Sequence, residues 1–311
     1  MPPEAVRTGE WRGEPDRLDR VLPALGLARS RSQATELILG GQVTIDGAPA
    51  AKSGVRVQPG TRLEVHGGDH YVSRAAHKLL AGLEAFAVDP AIRLCLDLGA
   101  STGGFTQVLL ERGAAAVQAV DVGHGQLVPE LRADPRVRVV EGCNARDLTA
   151  AALSEATGID DAPDLVVADL SFISLGLILP AIARVAAPAA DIILLIKPQF
   201  EVGRVRDGVV TDSALRAEAL RIVLRAAVAE GFGARGLARS PIAGGHGNRE
   251  FLVHLTRGAA PDPTEWEGRI EALAAEQVGQ TEQVAHPLQA EQSETREQPE
   301  HPGDPRANGA A

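Results

Sequence analysis

The sequence predicts an α/β fold with a mostly parallel, seven-stranded, doubly wound sheet, and a small α+β domain ahead of it. Three observations carry this. Residues Leu94–Thr106 begin as a short apolar run and break into a turn with Gly99, Gly103 and Gly104. They then place Phe105, Val108, Leu109 and Leu110 at helical spacing. Short apolar runs recur at 94–98, 116–120, 137–140, 164–168, 192–196, 234–238 and 251–255, with helical patterns such as 104–112, 173–186 and 212–230 between them. The last two runs are joined by the loop Ser240–Arg249, with no room for a crossover helix, so they are expected as antiparallel neighbours.

Taken in order, residues 1–15 are polar, contain Pro2, Pro3 and Pro15, and read as a disordered leader. Residues 16–66 form the small domain. Leu18, Val21, Leu22 and Leu25 mark one helix face, ended by Gly26, and Ala34, Leu37 and Ile38 mark a second, stopped by Gly40-Gly41. Val43–Ile45 with Asp46-Gly47 reads as a strand and turn, and Val55, Val57, Leu63 and Val65 as further short strands. Residues 67–74 are a linker. The domain 75–257 opens with a helix whose apolar face is Leu79, Leu83 and Phe86. Lys78 lies near its start, where a cation opposes the helix dipole, which hints at another task for it. Residues 258–311 read as an acidic, mostly disordered tail, with one short helix expected at Trp266, Ile270 and Leu273.

Composition narrows the classes. Of 311 residues, 44% are apolar but only 3% aromatic, so the core must be aliphatic. Cys95 and Cys143 are too few for a disulfide framework, and no apolar run reaches the ~20 residues that span a bilayer. The N-terminus lacks the apolar segment of a secretory signal, and a cytoplasmic setting is expected. The net charge of −10 argues against nucleic acid until it is mapped: residues 259–311 hold eleven acids against three arginines, whereas Arg17–His66 holds seven basic against four acidic residues. Local basic patches bring in phosphates, whatever the whole-chain charge.

The glycine turn narrows the ligand. A pyrophosphate loop wants G-x-G-x-x-G; here Gly99 and Gly104 fit the outer positions, but Ser101 fills the middle one. Asp121 follows a strand 22 residues after Gly99, a position suited to ribose hydroxyls. The form Asp97-x-Gly99-x-x-x-Gly103-Gly104 resembles the loop that holds S-adenosylmethionine in class I, Rossmann-like methyltransferases. Asp169 and Lys197 each follow an apolar run, and Glu250 precedes one. If that last strand is antiparallel, all three share the rim where ligands of open sheets bind.

Residues Arg17-Leu18-Asp19, Ser30–Ala34 and Val43–Gly47 resemble the alpha-L RNA-binding motif first known from a small-subunit ribosomal protein. By that resemblance Arg17, Arg29, Arg31, Lys52 and Arg74 are candidate RNA contacts, with Arg20 weaker. The segments Ser73–Leu79, Asp97–Thr106, Val120–Gly123, Asn144–Arg146, Asp169–Ser174, Lys197–Glu201, Ser240–Ile242 and Gly247–Glu250 resemble the TlyA family. That family comprises ribosomal RNA ribose 2′-O-methyltransferases with an FtsJ-like domain, many carrying an older haemolysin label. The resemblance implies a catalytic tetrad of Lys78, Asp169, Lys197 and Glu250. Lys197 would be the base, or the group that steers the hydroxyl lone pair. Lys78 and desolvation work to neutralise it, while Asp169 and Glu250 work to keep it charged.

The resemblance further implies S-adenosylmethionine bound by Asp97, Gly99, Ala100, Ser101, Thr102, Gly103, Gly104, Asp121, Val122, Asn144 and Asp169, with Arg146 nearby. The implied partners are ribosomal RNA or ribosomal subunits, with no membrane and no metal, for a monomer modifying a cytidine. His77 and His246 are expected to make loop or solvent hydrogen bonds rather than do acid–base work. Cys143 lacks the partner cysteine of a base-carbon methyltransferase. Two rivals remain: a membrane-active haemolysin, which needs a segment the sequence lacks, and an inactive RNA-binding assembly factor, against which the intact turn and tetrad argue.

Overall fold

The computed structural model describes residues 6–28, 30–66, 70–203, 205, 208–244, 247–258 and 263–275. It divides into two compact units, Met1–Ala76 and His77–Ala311.

In the first unit, β1 (Arg7–Glu10) and β2 (Asp16–Arg17) precede helices α1 (Leu18–Ala24) and α2 (Arg31–Leu39), followed by β3 (Val43–Ile45), β4 (Ala48–Pro49), β5 (Arg56–Val57) and β6 (Arg62–Val65). The main sheet has the order β1-β6-β3-β4, and β2 pairs with β5. Asp46 and Gly47 both have positive φ, 47° and 83°, which is the primed two-residue turn an Asp-Gly hairpin takes. Val43, Leu63 and Val65 from the sheet bury against Leu18, Val21, Leu22, Ala34, Leu37 and Ile38 from the helices.

The disordered leader expected over residues 1–15 is corrected for residues 6–15; residues 1–5 lie outside the described residues. Arg7–Glu10 pairs antiparallel with β6, Arg7 opposite Val65, and Trp11 packs against the core. Arg-Thr-Gly-Glu has no apolar alternation; this edge strand is held by backbone pairing, which hydrophobic periodicity does not report.

The second unit runs through α3 (Ala75–Phe86), β7 (Leu94–Leu98), α4 (Gly104–Glu111), β8 (Ala116–Val120), α5 (Pro129–Arg132), β9 (Val137–Val140), α6 (Ala150–Thr157) and β10 (Leu165–Ala168). It continues with α7 (Leu179–Val185), β11 (Asp191–Ile196), α8 (Pro198–Glu201), α9 (Ser213–Ala229), β12 (Phe232–Arg239), β13 (Phe251–Arg257) and α10 (Glu267–Ala275). The sheet order is β12-β13-β11-β10-β7-β8-β9. Only β13 runs against its neighbours, pairing antiparallel with both β11 and β12. Strand β10 is buried along its whole length, as expected of a parallel strand covered on both faces. Leu179, Ile182 and Val185 of α7, Leu220, Val223 and Leu224 of α9, and Ile270 and Leu273 of α10 pack on one face of the sheet.

One helix expectation changes. The segment 173–186 is a 3₁₀ turn, Leu175–Leu177, followed by α7, because Pro180 fits only the first turn of a helix. The short helix expected at Trp266, Ile270 and Leu273 is present as α10: these side chains join the core, and Arg216 of α9 donates to Ala274 O at 2.7 and 3.0 Å. Residues 276–311 lie outside the described residues.

Candidate active site

Strand register builds the site. Leu98 pairs with Val120 on one side and Ala168 on the other, so Gly99, Asp121 and Asp169 emerge side by side at one edge. Ile196 pairs with Phe251, which brings Lys197 and Glu250 to the same edge from strands of opposite direction. The chain order reverses between β7 and β10, and their carboxyl ends open the crevice where ligands of such sheets bind. Helix α3 adds Lys78 from outside the sheet.

The four charges form an alternating line. Lys78 Nζ donates to Glu250 Oε2 at 2.6 Å and lies 3.6 Å from Asp169 Oδ2; Asp169 Oδ1 lies 2.6 Å from Lys197 Nζ. That last approach is an ion-pair contact without hydrogen-bond alignment. Lys197 Nζ donates instead to Ser171 Oγ at 2.8 Å. Lys78, Lys197 and Glu250 are buried, a placement tolerable because each charge has an opposite neighbour. Gly244 is part of the design: a Cβ there would come within 2.4 Å of Glu250 Oε1. Asn248 fixes the loop by accepting from Val210 N at 2.9 Å and donating to Gly208 O at 2.8 Å.

Beside the line lies the glycine turn. Gly99 has φ 83°, and a Cβ there would meet Asp169 O at 2.9 Å, so only glycine lets the turn approach the end of β10. Asp121 accepts from Ser101 N at 2.8 Å and Gly123 N at 2.7 Å, holding the turn against the end of β8. Asp97 sits beneath, wholly buried. Its Oδ2 accepts from Thr106 Oγ1 at 2.7 Å, and its Oδ1 has no hydrogen-bond partner. Burial, and then the charges of Asp169 and Asp121, push its carboxyl up to about 7. Three carboxyl groups thus surround the turn, with Asp97 covered beneath it. Val122, 69% exposed, adds an apolar surface next to Asp121.

An FtsJ-like methyltransferase model matches residues 71–257, and an S4 domain model matches residues 16–63. The chain belongs to the FtsJ-like methyltransferases, in the TlyA family. It is 52% identical over 244 residues to the 16S/23S rRNA (cytidine-2'-O)-methyltransferase TlyA of Mycobacterium tuberculosis, covering 77% of this chain and 89% of that one. It is 38% identical over 242 residues to Hemolysin A of Brachyspira hyodysenteriae, covering 77% and 99%. A solved hemolysin-named structure from Streptococcus thermophilus superposes with a TM-score of 0.66 at 39% identity, covering 84% of this chain and 95% of that one. In this TlyA-family chain no helix among the described residues is long and apolar enough to cross a membrane. No group of His, Cys, Asp and Glu among them is placed to hold a metal ion.

The remaining expected residues of the TlyA-family chain divide by environment. Ala100 is buried, while Ser101 and Thr102 are exposed on the turn; Gly103 and Gly104 are buried where the turn enters α4. Asn144 is exposed, and its Oδ1 accepts from Arg146 N at 3.1 Å, capping the 3₁₀ turn Ala145–Asp147. In the first unit, Arg17 and Arg31 both pair with Asp19. Lys52 and Arg74 are exposed, and Arg29 and His246 lie outside the described residues.

Sequence reasoning missed several features. Ser171 bonds Lys197, a link between loops 26 residues apart that spacing does not reveal. Phe172, 91% exposed with φ 64°, stands next to Phe200, ring centroids 5.3 Å apart. A strained, exposed aromatic beside a site suggests use rather than packing. Glu201 accepts from Ser174 Oγ at 2.6 Å and Leu175 N at 2.9 Å, tying α8 to the loop that carries Ser171, and burial pushes its carboxyl up. The Phe-Ile-Ser and Gln-Phe-Glu runs after Asp169 and Lys197 were the available signal.

Proposed function

We propose that this chain transfers a methyl group from S-adenosylmethionine to the ribose 2′ oxygen of a cytidine in ribosomal RNA, acting as a cytoplasmic monomer. The observation that carries the reading is the alternating line Glu250–Lys78–Asp169–Lys197 at the sheet's switch point, beside the glycine turn. Relatives that share this chain's family bear names for the same reaction on 16S and 23S rRNA.

The residues present fit the cofactor. The unpartnered Asp97 Oδ1 and the neighbouring Asp121 and Asp169 suit a ligand with positive charge, and Gly99 keeps side-chain atoms out of the turn. Asp97, Gly99–Gly104 and Asp169 would hold its amino-acid part. Asp121 would take its ribose, and Val122 and Asn144 would border its base. Bound S-adenosylmethionine supplies an electrophilic methyl group.

The chain's own residues prepare the acceptor. A ribose hydroxyl is a weak nucleophile until its proton is taken or turned aside. Lys197 Nζ is the group that takes that proton or steers the oxygen lone pair. Asp169 holds Lys197 by charge, and Ser171 occupies one of its hydrogens. Lys78 pairs with both Glu250 and Asp169 and so ties the far end of the line to its centre. In the first unit Arg17, Arg31, Lys52 and Arg74, together with Arg29 as a sequence candidate, contact RNA phosphates, which position without reading sequence. The exposed Phe172 offers a flat face to a base drawn out of its stack.

The deciding experiment incubates the purified chain with S-adenosylmethionine and ribosomal subunits from cells lacking the gene, then identifies the modified nucleoside by mass spectrometry. The expected product is 2′-O-methylcytidine; a base-methylated nucleoside overturns the reading.

A further inference from the structure

In the first unit two arginines converge on one covered acid. Asp19 Oδ1 accepts from Arg17 Nε at 3.0 Å, and Oδ2 accepts from Arg17 Nη2 at 3.2 Å and from Arg31 Nη2 at 2.9 Å. Asp19 is 4% exposed, yet the arginine side chains it holds are 46% and 57% exposed. Arg31 is the first residue of α2, where a cation works against the helix dipole, so helix stability does not explain it. Exposed Lys52 and Arg56 lie on the same stretch of chain, with Arg56 opposite Arg17 in the β2–β5 pair. Two guanidinium groups on one carboxylate leave a net positive charge, fixed in place rather than waving on long stems.

We propose that Asp19 is a positioning residue for RNA: it holds the Arg17 and Arg31 guanidiniums side by side so that their remaining N–H groups grip one backbone phosphate. The proposal rests on the reading of this unit as an RNA-binding face, and adds to it an acid that helps bind an anion. Guanidinium forks recognise phosphate by geometry as well as charge, so pre-orienting two of them lowers the ordering cost of binding. Asp19 enters only through the arginines and touches no RNA itself. Bulk charge and positioning therefore predict opposite signs when it is removed.

The test measures binding of the full chain to a 23S rRNA transcript across a potassium chloride series. Asp19→Asn keeps the shape and makes the face one unit more positive. Positioning predicts affinity weaker by about 5–50-fold near 0.1 M salt, with a log–log salt slope shallower by about one. Equal or tighter binding overturns the proposal. Should Asp19→Asn fail to fold by circular dichroism, Arg31→Lys decides. It keeps the charge and loses the fork, so binding within about threefold of Arg31→Ala supports positioning, and wild-type affinity overturns it. The double variant Arg17→Ala/Arg31→Ala separates the levels. If it binds as the wild type does, the RNA-face reading falls and the proposal with it. If it binds weakly while Asp19→Asn binds normally, the proposal alone falls.

Discussion

Two covered aspartates, one in each unit, meet opposite fates. Asp19 lies just under the surface of a small module, and the hydrogen bond from Arg17 leads the effects that hold its carboxyl down at about 2. Asp97 lies inside a seven-stranded sheet with Thr106 as its hydrogen-bonding neighbour, and burial lifts it to about 7. The first is satisfied by its own chain. The second has an oxygen with no partner, at the foot of a turn built to approach something. A covered acid whose cations are already present is held charged by them, whereas one without them is pushed towards its neutral form. Asp169 stands between the two, held by Lys197 and Lys78 yet opening onto the crevice.

The comparison can be broken, the largest effect first. Lys197→Ala removes the cation of the intermediate case. Methyl transfer should fall by roughly 10²–10⁴-fold, with cofactor affinity by calorimetry nearly unchanged. Unaltered turnover would exclude Lys197 from the chemistry. Asp97→Asn addresses the unpaired case. Cofactor affinity should drop by about 10–100-fold, the worth of a hydrogen bond to a charged group. The ligand-free protein should meanwhile become more stable at pH 8.

The sign follows from linkage. An acid whose folded pKa is raised keeps its proton in the native state while the unfolded chain has lost it. Its contribution is therefore most favourable below about pH 4 and declines as pH rises towards 7. The melting-temperature difference between Asp97→Asn and wild type should accordingly grow from pH 4.5 to pH 8; a constant difference would mean Asp97 already has its partner. Asp19 runs the other way. Its lowered pKa contributes stability above about pH 4, lost as pH falls towards 2. Urea unfolding of Asp19→Asn should be less pH-dependent across that window than unfolding of the wild type. The smallest effect is expected from Phe172→Ala: a several-fold rise in KM for RNA, with stability within about 0.5 kcal/mol of wild type, as for other surface changes.

Much of this was legible in the residues. The seven strands follow from short recurring apolar runs, and once β13 is antiparallel, Lys197 and Glu250 must share an edge. Local patterns also reveal Gly99 and Asp121. What stayed hidden depends on neighbours distant in sequence. Strand β1 has no apolar face and exists only because β6 offers a free edge. Ser171 reads as an ordinary loop serine until Lys197 is beside it. Asp97 looks like any acid before a glycine turn; its missing partner appears only when the strands on both sides close over it. Arg31 reads from sequence as a candidate RNA contact, but that Asp19, twelve residues earlier, holds it does not show there.

Helix α10 has a practical consequence. The methyltransferase match ends at Arg257, but Trp266, Ile270 and Leu273 beyond it are buried in the same core, and Arg216 relies on the carbonyl of Ala274. A fragment trimmed to the match would bare a greasy strip along α9 and orphan a guanidinium. It should clump on expression, so a working catalytic fragment has to run to at least Ala275.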